Sequence, residues 1–231
     1  MLQSFFLSPA QRLYSKLSAR QRRVALAACM AAFLATALDA FVMHPPEVED
    51  LSEERSNELP NLLAQWEEGD VIVLLRHLER CDKEDYPCLE GTEGITSRSV
   101  PVGGWLAEGF GQLGLSKTDV YNSPLTRTAQ TEELVFDDLG IDEDWLYKCR
   151  ETMLEDALER KVPGKNMVLV THSSCISAFE QSLGYDTETP EYGTALFFTK
   201  SANSKSLKVV GFLDADDWKR ALEDGARRQR G

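Results

Sequence analysis

Five consecutive residues of this 231-residue chain, Arg76-His77-Leu78-Glu79-Arg80, combine types that can do phosphoryl chemistry. Two guanidinium forks can hold the nonbridging oxygens of a phosphoryl group bidentately. An imidazole kept neutral between such fixed positive charges can attack phosphorus and carry the group covalently. Farther along, Arg127 stands four residues after Ser123, which Pro124 follows, and His172 follows the apolar run Met167-Val168-Leu169-Val170-Thr171. Each of these residues has a bland reading when taken alone. A lone Arg127 is a solvated helix charge, His172 a satisfied polar residue, and Glu79 a partner for a neighbouring arginine. Their joint occurrence at the ends of buried runs favours one shared anion site.

The elements that would position them alternate in type. Leu59, Leu62, Leu63 and Trp66 recur at helical spacing up to Gly69, and Val71–Leu75 reads as a buried strand. Pro101 opens a helix that closes at Gly114. Asp119–Asn122 reads as a short strand, and the next helix starts with the Ser123 hydroxyl as N-cap and Pro124 in its first turn, ending at Gly140. A strand is expected at Trp145-Leu146-Tyr147, a helix over 152–161, a strand over 167–171 and a helix over 173–183 before Gly184. Two strands follow, 195–198 and 207–212, and the tail 216–230 reads as a polar helix or frayed end. Strands alternating with helices predict a three-layer α/β/α sandwich with a mostly parallel central sheet. Ligands in such sheets gather beyond the carboxyl ends of the strands, which brings 76–77, 123 and 171–172 to one edge.

A formal net charge of −13, with no basic stripe, argues against nucleic acid as a partner. The stretch 24–43, VALAACMAAFLATALDAFVM, carries Asp39 as its one charge and follows Arg20-Gln21-Arg22-Arg23, with Glu47-Val48-Glu49-Asp50 beyond it. It reads as a transmembrane anchor, or alternatively as a signal sequence cleaved near Ala35-Thr36-Ala37. The charge asymmetry predicts residues 1–23 in the cytoplasm and everything from His44 outside it, tethered by a single pass or released after cleavage. Residues 44–57 are then a linker and 58–231 the globular domain.

Four of the five cysteines, Cys81, Cys88, Cys149 and Cys175, fall in the exported part. Three pairings are open to them. Cys81 and Cys88 bracket a short turn-rich loop, whereas Cys149 and Cys175 each follow an expected strand end, so the pairs 81–88 and 149–175 are expected.

The motifs Arg76-His77-Leu78-Glu79-Arg80, Ser123-Pro124-Leu125-Thr126-Arg127 and Val170-Thr171-His172-Ser173 together resemble the histidine phosphatase superfamily, the phosphoglycerate-mutase-like enzymes. The resemblance covers roughly 71–198. It implies a phosphohistidine on His77, a phosphate pocket of Arg76, Arg80, Arg127 and His172, and neither metal nor other cofactor. Within that superfamily, LLRHLERCDKEDYPCLEGTEGIT and the four cysteine positions are similar to the lipopolysaccharide core heptose(II)-phosphate phosphatases, which implies a phosphorylated core heptose as substrate and, with the N-terminal span, a single-pass inner-membrane protein with its catalytic domain in the periplasm, or a soluble periplasmic one after cleavage. Two features depart from the pattern. The Leu-Thr-x-x-Gly segment usual after the first motif is represented only by Gly94–Ser99, and the general acid is unmarked: Glu151 is the first candidate, with Glu155 and Asp156 as alternatives.

Rival chemistries fit less well. His77-x-Glu79 with Pro87-Cys88 matches part of a zinc deaminase signature, but the second cysteine of its Cys-x-x-Cys pair is missing. No cysteine is followed six residues later by arginine, as a cysteine phosphatase requires. A tethered domain that binds phosphorylated glycans without turning them over is the alternative outside enzymology.

Overall fold

The computed structural model describes residues 18–43, 45–53, 56–149, 152–187, 189–200 and 207–228. The chain divides into two compact units, Met1–Pro45 and Pro46–Gly231. The first contains helix α1 (Ala19–Met43). Its apolar side chains Val24, Leu26, Met30, Phe33 and Leu34 are exposed. Among the described residues, however, no helix is long and apolar enough to cross a membrane. The end of the span expected at 24–43 has side chains outside the described set. The transmembrane anchor read from the sequence thus finds no support here.

The second unit is the expected α/β/α sandwich. Its six strands are β1 (Val71–Arg76), β2 (Thr118–Asn122), β3 (Ile141–Asp142), β4 (Asn166–Thr171), β5 (Ala195–Lys200) and β6 (Leu207–Leu213). They lie in the order β3-β2-β4-β1-β5-β6. Pairings within β3-β2-β4-β1 are parallel, while β5 and β6 add an antiparallel edge. The helices are α2 (Glu58–Glu68), α3 (Val100–Leu113), α4 (Thr126–Phe136), α5 (Met153–Arg160), α6 (Ser173–Ser182) and α7 (Trp218–Arg228).

Strand periodicity divides the core. Val71, Val73 and Leu75 point to one face of β1, where they join Trp66 of α2, Phe110 of α3, Phe136 of α4 and Trp218 of α7. Ile72 and Leu74 point to the other, against Met153 of α5 and Ile176 and Phe179 of α6. β1 and β4 are buried on both faces, which explains why their sequences are unbroken apolar runs with no polar alternation.

Three local expectations are corrected. Asp144–Leu146 is a 3₁₀ turn, and the edge strand is Ile141–Asp142 instead. Leu146 is fully buried because it plugs the core beneath β4, an apolar placement that needs no strand. Helix α4 begins at Thr126 with Leu125 as its N-cap, and it ends at Phe136, followed by Asp137 in the left-handed region. Residues 46–53, expected within the linker, pack onto the domain: Leu51 is buried, its N–H donates to Phe212 O at 3.0 Å, and Phe212 N–H donates to Glu49 O at 2.9 Å.

Candidate active site

β1 ends where it must deliver two functional side chains. The N–H of Arg76 donates to Thr194 O at 2.9 Å, and that of His77 donates to Thr171 O at 3.0 Å. The register pairs Arg76 with Thr171, so His77 and His172, the residues directly beyond β1 and β4, emerge side by side. Their ring centroids are 5.4 Å apart. Leu78 N–H donates to the Thr131 hydroxyl at 2.9 Å, which fastens the loop to α4 and through it to Arg127.

His77 is 3 % exposed, and its Nδ1 lies 2.7 Å from Leu78 O. A carbonyl can only accept, so Nδ1 carries the proton and Nε2 keeps its lone pair. Burial, followed by His172, Arg127 and Arg76, pulls this imidazole down to about 3, although the bond to Leu78 opposes the shift. It is therefore neutral at physiological pH, as a nucleophile must be.

The side chains around it form a cavity of about 530 Å³ lined by Arg76, His77, Arg80, Lys83, Arg127, Tyr147, His172, Ser173, Ser174 and Tyr192. All four proposed phosphate ligands therefore share one cavity with His77. Arg76 donates to Pro190 O, its guanidinium lies 3.9 Å from the centre of the Tyr192 ring, and burial lowers its pKa. Arg80 is held by Asp82, with Nε donating to Oδ1 at 2.8 Å. Arg127 Nη2 stands 3.3 Å from His172 Nδ1, and its Nε is buried without a partner. His172 Nε2 is 2.9 Å from the Ser123 hydroxyl, and burial, then Arg127 and Arg80, lowers its pKa to about 4. In a protein of net charge −13, the described cavity lining carries four cationic side chains and no carboxylate. That arrangement selects an oxyanion.

Ser123 has a different task from the one expected. Its hydroxyl meets His172 and does not cap α4, since the N-cap position is Leu125, two residues further on. Glu79 is a structural partner, as expected, but of a distant arginine: it accepts from Arg98 and from the Thr96 hydroxyl at 2.8 Å. Lys83, Tyr147 and Tyr192 carry no motif that marks them in the sequence. Tyr147 lies two residues before Cys149 and Lys83 lies inside the Cys81–Cys88 loop, so proximity to the cysteines was the available signal. Tyr192 offered none.

Cys81 pairs with Cys88 and Cys149 with Cys175, as expected, with Cα separations of 5.0 and 5.5 Å. The first pair closes the loop that carries Asp82 and Lys83, and the second ties the segment after Tyr147 to α6, whose start supplies Ser173 and Ser174. Of the general-acid candidates, Glu151 lies outside the described residues. Asp156 is engaged by Arg160 at 2.8 Å, and Glu155 is exposed and does not line the cavity. Among the described residues no group of His, Cys, Asp and Glu is placed to hold a metal ion.

No protein-family model matches the chain. Among curated proteins it is similar to the lipopolysaccharide core heptose(II)-phosphate phosphatase of Escherichia coli O1:K1 / APEC, 32% identical over 126 residues that cover 53% of this chain and 62% of that protein. The protein of the same name from Escherichia coli O139:H28 (strain E24377A / ETEC) is 31% identical over the same lengths. The chain thus spans 62% of the length of the curated relatives it matches. Among solved structures it is similar to a phosphoserine phosphatase variant from Entamoeba histolytica in complex with phosphoserine, with a TM-score of 0.48 and 13% identity, covering 64% of this chain and 98% of that one. Phosphoglycerate mutase from Bacillus anthracis str. Sterne gives 0.47 and 12%, covering 68% and 99%.

Proposed function

We propose that this chain is a metal-independent phosphomonoesterase of the histidine phosphatase superfamily that works through a phosphohistidine on His77. The observation that carries the reading is His77 itself: neutral, its Nδ1 proton committed to Leu78 O, and its ring in a cavity with three arginines and a second histidine. In the first step Nε2 forms a bond to phosphorus as the ester P–O bond breaks. The leaving alkoxide takes a proton from a carboxylic acid, a role assigned to Glu151, which follows cavity-lining Tyr147 by four residues. Water then attacks the phosphohistidine, giving its proton to that carboxylate, and His77 and inorganic phosphate are released. Arg76, Arg80 and Arg127 stabilise the charge on the transferring group throughout.

The substrate assigned is a phosphorylated sugar, with the heptose phosphate of the lipopolysaccharide core first among them, on the strength of the 32% identity to proteins of that name. Two disulfides suit an oxidising compartment, and the periplasm is the assigned location. The intact chain should release phosphate from an aryl phosphate and from core oligosaccharide. A denaturing quench kept alkaline, where the phosphorus–nitrogen bond survives, should recover phosphate on the peptide containing His77. Equal turnover by folded His77→Ala would end this reading, whereas binding of phosphorylated core without turnover would favour the glycan-binding alternative.

A further inference from the structure

A second cavity, of about 650 Å³ and lined in part by Thr189, Pro190 and Glu191, has the opposite electrostatic character. Its floor is α6 and β6, through Ile176, Glu180 and Phe212. Its roof is the stretch Glu47–Asp50, fixed at one end by Asp186 N–H donating to Pro46 O at 3.0 Å and at the other by buried Leu51. Eight carboxylates line it, from Glu47, Glu49, Asp50, Glu53, Glu180, Asp186, Glu191 and Asp214, and no basic side chain among the described residues does.

A ring of surface acids alone would be ordinary solvation. Glu180 makes the difference. It is only 7 % exposed, lines the cavity, and leaves Oε2 with no hydrogen-bond partner. An unpartnered buried carboxylate oxygen costs roughly 1–3 kcal/mol or more unless something satisfies it. Burial pushes Glu180 up to about 7, and Asp214 is likewise raised by burial.

We propose that this cavity binds an aliphatic polyamine, one ammonium group seated on the Glu180 carboxylate and the others on the carboxylates of the roof and rim. Three observations select that chemistry. Every described charge in the lining is negative, so the ligand is cationic. Val48, Ile176, Leu196 and Phe212 interleave with the acids, which suits methylene stems between the charges. A bare metal ion fits poorly, because no group of acids among the described residues converges as ligands would, and the volume far exceeds what an ion needs. The site is independent of the phosphatase reading, since none of the catalytic side chains lines it.

Titration calorimetry of the full chain with spermidine at low ionic strength tests the proposal directly. Saturable one-to-one binding is expected, weakened at least tenfold in Glu180→Gln and at least threefold in the double variant Glu47→Gln/Glu49→Gln, whose changes lie on the exposed roof. Glu133→Gln, an exposed acid on α4 that does not line this cavity, should bind as the parent does. Thermal melts of each variant establish that it is folded, and the roof variant decides the matter if Glu180→Gln is not. Absence of saturable binding, equal weakening by Glu133→Gln, or full displacement of spermidine by equimolar magnesium would each overturn the assignment.

Discussion

Arg127 and His172 share a hydrogen bond that fixes the state of the second histidine: Nη2 donates to Nδ1 at 3.3 Å. Arginine has no acceptor, so Nδ1 is unprotonated and the proton of neutral His172 sits on Nε2, directed at the Ser123 hydroxyl at 2.9 Å. Both ring nitrogens of His172 are therefore engaged. To donate from Nδ1 to a bound oxyanion, His172 must gain a proton there and release Arg127, and a dianion nearby favours that charged form. Sulfate, which does not itself titrate between pH 6 and 7.5, should bind with net proton uptake of up to one. Calorimetry in two buffers of different ionisation enthalpy measures it. His172→Asn should remove most of the uptake, and identical apparent enthalpies for the parent protein in both buffers would show that Nδ1 does not become a donor to the anion.

Arg76 is held in two ways that depend on its planar shape, by donation to Pro190 O and by the face of Tyr192. Lysine keeps the charge but can neither stack nor present a fork. Arg76→Lys should therefore lower kcat/KM toward an aryl phosphate by roughly a hundredfold. Tyr192→Phe keeps the ring and should stay within about threefold of the parent, while Tyr192→Ala should lose roughly tenfold. Steady-state kinetics on the three variants would count against this account if the phenylalanine and alanine forms behaved alike.

The two imidazoles also make stability depend on pH in a definite direction. In the unfolded chain histidine protonates near 6.5, whereas folded His77 and His172 stay neutral down to about 3 and about 4. Between those values the unfolded state binds more protons, so the free energy of unfolding rises with pH and is lost as pH falls below about 6.5. The loss is at most about 1.4 kcal/mol per pH unit per imidazole. Tm should drop between pH 7 and pH 5, and more steeply in the parent than in a His77→Gln/His172→Gln variant. Parallel Tm profiles for the two proteins would show that neither histidine is held neutral by the fold.

Much of this arrangement is legible in residue order, and the reasons are physical. Fully buried β1 and β4 announce themselves as unbroken apolar runs, and the residues just beyond parallel strands of an α/β sheet must emerge at one edge, so His77 and His172 can be brought together from positions 95 residues apart. The elements whose composition misleads lack such a signature. Trp145-Leu146-Tyr147 has strand-like composition, yet only Leu146 is buried, and a single inward side chain is as easily supplied by a 3₁₀ turn. Ser123 has the sequence context of a helix cap, but its hydroxyl has a better partner in His172, 49 residues away, which no local pattern encodes. The packing of 46–53 against β6 is hidden because its main-chain hydrogen bonds are independent of side-chain type.

The two disulfides should separate stability from activity. A cross-link restricts the unfolded chain more when it closes a longer loop, so the Cys149–Cys175 bridge, with a sequence separation of 26, should be worth about 3–4 kcal/mol, and Cys81–Cys88, with a separation of 7, about 2–3 kcal/mol. The shorter loop, however, carries the Asp82 that holds Arg80. Replacing Cys81 and Cys88 by serine should raise KM for a phosphate ester several-fold with the smaller fall in Tm. Replacing Cys149 and Cys175 should give the larger fall in Tm. Denaturant unfolding and kinetics on both double variants would refute the division of labour if the order were reversed in both measurements.

Helix α3 contains four glycines, which weaken its helical signal, and they fall into two classes once packing is known. A Cβ on Gly109 would stand 2.3 Å from the Trp218 ring, and one on Gly103 would press against Leu134 and Leu78. At Gly104 and Gly111 a Cβ would meet nothing within 4 Å. The first pair is there so that α4 and α7 can approach α3 closely. The second has no such reason and carries only the entropic cost of glycine in a helix, about 0.5–1 kcal/mol relative to alanine. Gly104→Ala should therefore raise stability by about that amount. Gly109→Ala should lower it by about 1–3 kcal/mol, because Trp218 is fully buried against Phe110 and Phe197 and has nowhere to retreat. Urea unfolding of the two single variants checks both signs, and a stabilising Gly109→Ala would mean that α7 does not rest on α3 as described.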